Sequence, residues 1–98
     1  MLDELTIRVR ELVATKEPVG YDVKIDLAEH GYIFAVATQA PIVVSNDGEG
    51  ASVTLHMSAT DLKSVLDGDL NVTSAYMFGK IRIDGDLSKA MLLASLFS

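Results

Sequence analysis

The stretch AYMFGKIRIDGD, residues Ala75–Asp86, brings a short helix, a strand and the start of a further helix together. The short helix is predicted over Thr73–Met77. In Lys80–Asp84 apolar and polar residues alternate, as in a strand with one buried face. The Gly-Asp pair that follows predicts a turn and an N-terminal cap for a closing helix over Leu87–Phe97. Together these features predict the C-terminal part of a mixed helix and sheet fold.

The part of the chain before this stretch has one helix, several strands and a second helix. Residues 2–15 carry apolar side chains at steps of three and four, which predicts an amphipathic helix that covers the sheet. Alternation and short apolar runs predict four strands, and a serine cap predicts a second helix. The predicted strands are Tyr21–Leu27, Tyr32–Ala37, Ile42–Val44 and Ala51–Met57, and the second helix runs from Ser58 to Gly68.

This order of elements is typical of the α+β class. We expect a twisted, mainly antiparallel sheet of about five strands with helices packed on one face. The chain has 98 residues, about the length of one domain, so we expect residues 1–98 to form a single domain.

The charge of the chain bears on its partners. Fourteen acidic residues against eight basic ones give a net charge of −6, which disfavours nucleic acid as a partner. A polybasic segment that would attract anionic membranes is also missing. The chain lacks cysteine, and acidic residues stand near its N-terminus where a signal peptide needs basic ones, so we expect a cytoplasmic protein.

The residues that could carry catalysis have simpler explanations. His30 falls in a predicted turn, and His56 alternates with apolar residues on the polar side of a strand, so both are expected at the surface. The acidic pairs in Asp67–Asp69 and Asp84–Asp86 stand where a helix or strand ends, where turns and caps account for them. We therefore expect no catalytic residue, no metal site and no cofactor, and a protein that is not an enzyme.

The second half of the chain resembles a known family. The segments Met57–Leu62, Leu66–Asn71, Ala75–Asp86 and Ala90–Leu93 are similar in order and spacing to the sterol carrier protein 2 family, also called the non-specific lipid-transfer domain. The similarity covers about residues 51–97. It implies an apolar tunnel between helices and sheet that holds fatty acids, acyl-CoA esters, sterols or phospholipids.

Three features depart from the family pattern. Val72 follows Asn71 where the family commonly has proline, and Asp69 and Asp84 stand at positions that are usually or often basic, so an anionic head group such as CoA is less well matched. The N-terminal region is also short. A smaller cover implies a smaller tunnel, or one completed by dimerisation.

The resemblance also supplies candidates for the lining of the tunnel. Leu92 and Leu96 are favoured because they fall outside the main apolar stripe of the closing helix, and methionine adapts well to irregular ligands. For each candidate, ordinary core packing is the alternative explanation. The candidates are Phe34, Val36, Leu66, Tyr76, Met77, Phe78, Met91, Leu92 and Leu96.

Binding and carriage of a hydrophobic ligand is therefore the function that the sequence favours. The expected partner is a lipid or fatty acid, with at most transient membrane contact and a possible homodimer. A non-catalytic interaction, oligomerisation or accessory module with a packed interior remains the alternative.

Overall fold

The computed structural model describes residues 2–14, 16–38, 40–48 and 50–93, and side chains as far as residue 90. A short 3-10 turn, Ala28–His30, connects the first two strands. The helices are α1 (Leu2–Val13), α2 (Ala59–Leu66), α3 (Val72–Met77) and α4 (Leu87–Leu93). The strands are β1 (Val23–Asp26), β2 (Tyr32–Val36), β3 (Val43–Ser45), β4 (Val53–His56) and β5 (Arg82–Gly85).

The five strands form one sheet in the order β3-β2-β1-β4-β5. Three neighbouring pairs are antiparallel, and the central pair, β1 with β4, is parallel. The predicted α+β class and the mainly antiparallel sheet of about five strands are confirmed. Each predicted strand is present, with ends that differ by at most two residues.

One face of the sheet carries the hydrophobic core. Val23 and Ile25 of β1 lie opposite Val53 and Leu55 of β4, and all four are buried. Helix α1 covers this face with three buried side chains spaced four residues apart, Leu5, Val9 and Val13. We call this side of the sheet the helix face and the other side the open face.

Two further contacts hold α1 against the sheet edge at β3. The Arg10 guanidinium donates a hydrogen bond to the Val44 carbonyl at 2.9 Å, and the Asn46 amide donates to the Thr6 hydroxyl, also at 2.9 Å. These bonds join residues far apart in the chain, so they fix the direction in which α1 crosses the sheet.

Helix α2 begins as the sequence predicts. The Ser58 hydroxyl accepts a hydrogen bond from the Asp61 backbone N–H at 3.0 Å, which satisfies one of the free donors of the first turn. Leu62 and Val65 then enter the core.

The closing helix α4 is tied to the beginning of β1 by Tyr21. The hydroxyl of this buried side chain donates to the Lys89 carbonyl, and the Lys89 ammonium lies 5.4 Å from the centre of the ring. Burial, reinforced by the nearby Asp86 carboxylate, raises the pKa of Tyr21. The predicted closing helix is present as far as Leu93, and its predicted residues 94–97 lie outside the described residues.

Within the described residues, no helix is both long enough and apolar enough to cross a bilayer.

Gly85 provides a test of the pairing between β4 and β5. It lies opposite Val53 with φ of +107°, and a Cβ atom there would overlap the Ser52 carbonyl oxygen. We expect Gly85→Ala to lower the free energy of unfolding by more than about 2 kcal/mol, because strain and a backbone clash act together. The measurement is urea denaturation followed by circular dichroism.

Gly68→Ala is the matched control, since Gly68 also has a positive φ, +82°, but has nothing within 4 Å of the added methyl group. Equal losses in the two variants would show that the close approach to Ser52 does not matter.

Candidate functional site

The sheet separates the predicted tunnel residues into two groups. Phe34 lies opposite Lys24 and Ser45, on the open face, whereas its neighbour Ile33 lies opposite Ile25 on the helix face. Val36 shares the open face with Phe34 because side chains alternate along a strand. The structure therefore does not bring Phe34 and Val36 together with the candidates on the helices.

Phe34 is buried on the open face by a loop. It is only 4% exposed, and the Gly48 backbone packs so closely on its ring that a Cβ atom there would lie 2.6 Å from the ring carbons. The Tyr32 hydroxyl donates to the Gly48 carbonyl and accepts from its N–H, both at 3.3 Å. The middle of β2 is thus covered on both sides, at Ile33 and at Phe34.

The remaining candidates differ in exposure. Leu66, at the end of α2, is partly buried and packs against the core. Tyr76, Met77 and Phe78, at the end of α3, are all exposed. Met91 and Leu92 belong to α4, but their side chains are not among those described. Leu96 lies beyond the described residues.

A groove between α1 and α2 contains Leu66. Its volume is about 280 Å³, and Leu12 of α1 provides a second apolar wall. Arg8 and Glu11 line the same groove from α1. Leu66 is thus a tunnel candidate that lines a groove on the helix side.

Sequence reasoning did not single out Arg8, Glu11 and Leu12 as site residues. All three belong to one amphipathic helix, in which Leu12 counts as part of the apolar stripe and Arg8 as part of the polar face. Leu12 and Arg8 lie at the boundary between these two faces, and this is the signal that could have marked them, because a groove beside a covering helix is lined from that boundary. Glu11 lies on the polar face and carried no such signal.

An ion-pair network connects the two helices beside the groove. The Asp67 carboxylate lies 2.6 Å from the Arg8 guanidinium and 2.9 Å from the Lys63 ammonium. A hydrogen bond from Lys63 and, as the next largest effect, a hydrogen bond from Arg8 lower the pKa of Asp67 below its ordinary value. The carboxylate thus stays ionised at neutral pH and joins α1 to the C-terminal end of α2.

A second charged cluster lies across the open face. The His56 ring reaches Asp26 of β1 through Nδ1 at 3.1 Å and Asp84 of β5 through Nε2 at 2.6 Å. Carboxylates only accept hydrogen bonds, so the ring makes both bonds as donor only when it is protonated. His56 therefore links three strands, and both of its nitrogens are engaged.

The sequence placed His56 at the surface but gave no indication of its partners. The structure shows a half-buried ring whose two carboxylates come from strands 30 and 28 residues away. Asp26, Ala28, His56, Met57 and Ser58 also line a largely apolar pocket of about 300 Å³. Across the described residues, no group of three or more histidine, aspartate or glutamate side chains has a geometry that could hold a metal ion.

Comparison with known proteins identifies the fold family. A family model described as the SCP-2 sterol transfer family matches residues 10–98. The structure of sterol carrier protein 2 like 2 from Aedes aegypti is similar with a TM-score of 0.78 and 19% identity, covering 96% of this chain and 94% of that one. No curated protein sequence matches the chain.

Two further solved structures are similar over most of both chains. Sterol carrier protein domain 2 of Helicoverpa armigera has a TM-score of 0.72 and 26% identity, covering 97% of this chain and 83% of that one. Sterol carrier protein 2 from Aedes aegypti, solved in complex with palmitate, has a TM-score of 0.70 and 18% identity, with 98% and 93% covered.

The network at Asp67 predicts an acid-sensitive link between α1 and α2. Because the folded-state pKa is lowered, the stabilisation is present above the unfolded-state pKa and is lost as the pH falls through the folded-state pKa. We expect Arg8→Ala to raise the pKa of Asp67 towards that of an unpaired aspartate. Carboxyl NMR titration of both proteins measures this, and an unchanged Asp67 titration would contradict the pairing.

The bridge between His56 and Asp84 predicts a measurable coupling across β4 and β5. A double-mutant cycle with His56→Gln and Asp84→Asn should give a coupling energy of about 0.5–1 kcal/mol in urea denaturation. Arg82 and Asp84 provide the control, since their 3.6 Å contact is longer and both side chains are more exposed than His56. A coupling no larger than that of the control pair would contradict the bridge.

Proposed function

The chain belongs to the SCP-2 sterol transfer family, and from this premise we propose that it binds and carries a lipid with a long acyl chain. The groove between α1 and α2 is the observation that supports this proposal, because it places the apolar walls of Leu12 and Leu66 beside the charged Arg8. The palmitate bound to the relative from Aedes aegypti is a ligand of the same chemical class.

The size of the groove favours cargo with a single chain. Pockets for small ligands measure about 300–1,000 Å³, and the groove, at about 280 Å³, lies just below that range. Each methylene group moved from water to an apolar wall contributes about 0.8 kcal/mol. An acyl chain thus gains much of its affinity without directional contacts, which permits a broad choice of ligand.

Arg8 is suited to the polar end of such a ligand. A guanidinium carries five N–H donors, and among the described residues its ion pair with Asp67 is made through one terminal nitrogen. A carboxylate at the mouth of the groove would accept from the donors that remain. We therefore propose a fatty acid, or an ester that presents an acceptor oxygen at the same place, as the preferred cargo.

We further propose that residues 1–98 act as one lipid-binding domain without catalysis of its own. The hydrogen bonds of His56 support this, because both of its ring nitrogens are hydrogen-bonded to carboxylates and neither is free to serve as a general base. The absence of cysteine from the sequence is compatible with the reducing cytoplasm, where we place the protein.

Cargo that copurifies with the protein tests the proposal. The protein is purified without detergent, denatured and extracted with organic solvent, and the extract is analysed by mass spectrometry. We expect an acyl lipid at close to one molecule per chain. If nothing is extracted and a fluorescent fatty acid also fails to bind, the carrier function is contradicted, and an interaction or accessory module becomes the better explanation.

Substitutions in the groove test its position. We expect Leu66→Ser and Leu12→Ser each to weaken binding of a fluorescent fatty acid about tenfold, because each removes an apolar wall. Val43→Ser is the control, since Val43 lies on the open face of the edge strand β3 and is 52% exposed. Circular dichroism identifies any variant that does not fold, and equal affinity in all three folded variants would contradict the groove as the site.

A further inference from the structure

Met77 and Phe78 form an exposed apolar patch at the end of α3. They are 77% and 78% exposed, whereas the other exposed large apolar side chains in the described part of the chain reach at most 52%. The two are consecutive in the chain, so they form one projection. We call these two residues the Met77–Phe78 patch.

The backbone holds this patch in a fixed position. Gly79, with φ of +77°, ends α3 in a motif in which its N–H bonds to the Tyr76 carbonyl and the Lys80 N–H bonds to the Ala75 carbonyl at 2.8 Å. Ala75 is fully buried and anchors the helix in the core. Little backbone conformational entropy is therefore lost when the patch contacts another surface.

Lys80, which has no acidic partner among the described residues, follows the patch in the chain. Among the described residues, no contact is found for the exposed Lys80 ammonium, whereas Lys63 pairs with Asp67 and Lys24 lies 4.2 Å from the centre of the Tyr32 ring. A lysine can extend its ammonium towards phosphate groups while its stem stays beside apolar side chains. The local charge thus suits a surface that carries phosphate.

The size of the patch favours a lipid surface over a second copy of the chain. Two side chains of this size and exposure present about 300 Å² together, and a stable protein interface buries about 800 Å² on each partner. A bilayer needs no matching shape, because a few apolar side chains can insert at the boundary between head groups and acyl chains.

We propose that the Met77–Phe78 patch docks on the surface of a phospholipid bilayer, with both side chains inserted below the head groups and the Lys80 ammonium at the lipid phosphates. The claim that cargo is exchanged at this surface rests on the proposed function. The claim that the surface docks on a bilayer rests only on the exposure and fixed geometry of the patch and on the charge of Lys80. The net charge of −6 opposes lasting attachment to anionic membranes, so docking is brief and reversible.

A tryptophan placed in the patch reports on docking, because the natural chain has no tryptophan. Phe78→Trp is mixed with vesicles of phosphatidylcholine that contain a minor fraction of phosphatidylglycerol. We expect the emission to shift to the blue and to be quenched by brominated acyl chains. Val43→Trp, with an exposed site on β3, is the control and should show neither effect.

Removal of the patch gives a second, independent readout. In vesicle flotation, the double variant Met77→Ser/Phe78→Ser should partition at least about tenfold less than the control Ile7→Ser/Val43→Ser. Equal partitioning of the two double variants, or equal shifts for the two tryptophans, would overturn the proposal. A blue shift that depends on protein concentration without vesicles would also overturn it in favour of self-association.

Cargo binding by the natural protein in solution separates this inference from the proposed function. If the natural protein binds no fatty acid but Phe78→Trp still shifts with vesicles, the docking surface stands and the carrier function fails. If cargo binds and the shift is absent, the carrier function stands and the docking surface fails.

Discussion

The parallel pairing of β1 with β4 is the constraint on which the rest of the structure depends. It sets Val23 and Ile25 beside Val53 and Leu55 on the helix face. The same register sets Asp26 beside His56 on the open face. Since side chains alternate, a shift of one residue would exchange the two faces and remove both the core and the charged cluster.

The helix face, the open face and the end of α3 have separate roles in the molecule. The helix face carries the core, and the groove between α1 and α2 lies on its outer side, with Leu12 and Leu66 as its apolar walls. The open face is held by His56 and by the loop that covers Phe34. The end of α3 projects away from the core and presents the Met77–Phe78 patch. Cargo binding and membrane docking are thus proposed for different surfaces of the chain.

The sequence was sufficient to predict the elements and the fold family. Alternation and short apolar runs located the strands, and the serine at position 58 located the start of α2. The stretch Ala75–Asp86, with three other segments of the second half, carried the family resemblance. These signals are local, so they can be read without knowledge of which strands are neighbours.

The arrangement of side chains in space was not available from the sequence, because it depends on register and on where helices end. The carboxylates around His56 come from strands that only the sheet order brings together. Phe34 was grouped with residues on the helices because a wholly apolar strand does not reveal which of its side chains faces them. Met77 and Phe78 resemble core residues by type, but α3 ends at Met77 and leaves both exposed.

NMR of the protein with isotope-labelled palmitate tests the central claim most directly. The account predicts intermolecular nuclear Overhauser effects from the acyl chain to the methyl groups of Leu12 and Leu66, which wall the groove. Val36, on the open face, should show none. Contacts confined to the open face, or a labelled ligand that contacts no side chain on the helix side, would contradict a carrier whose cargo lies beside α1 and α2.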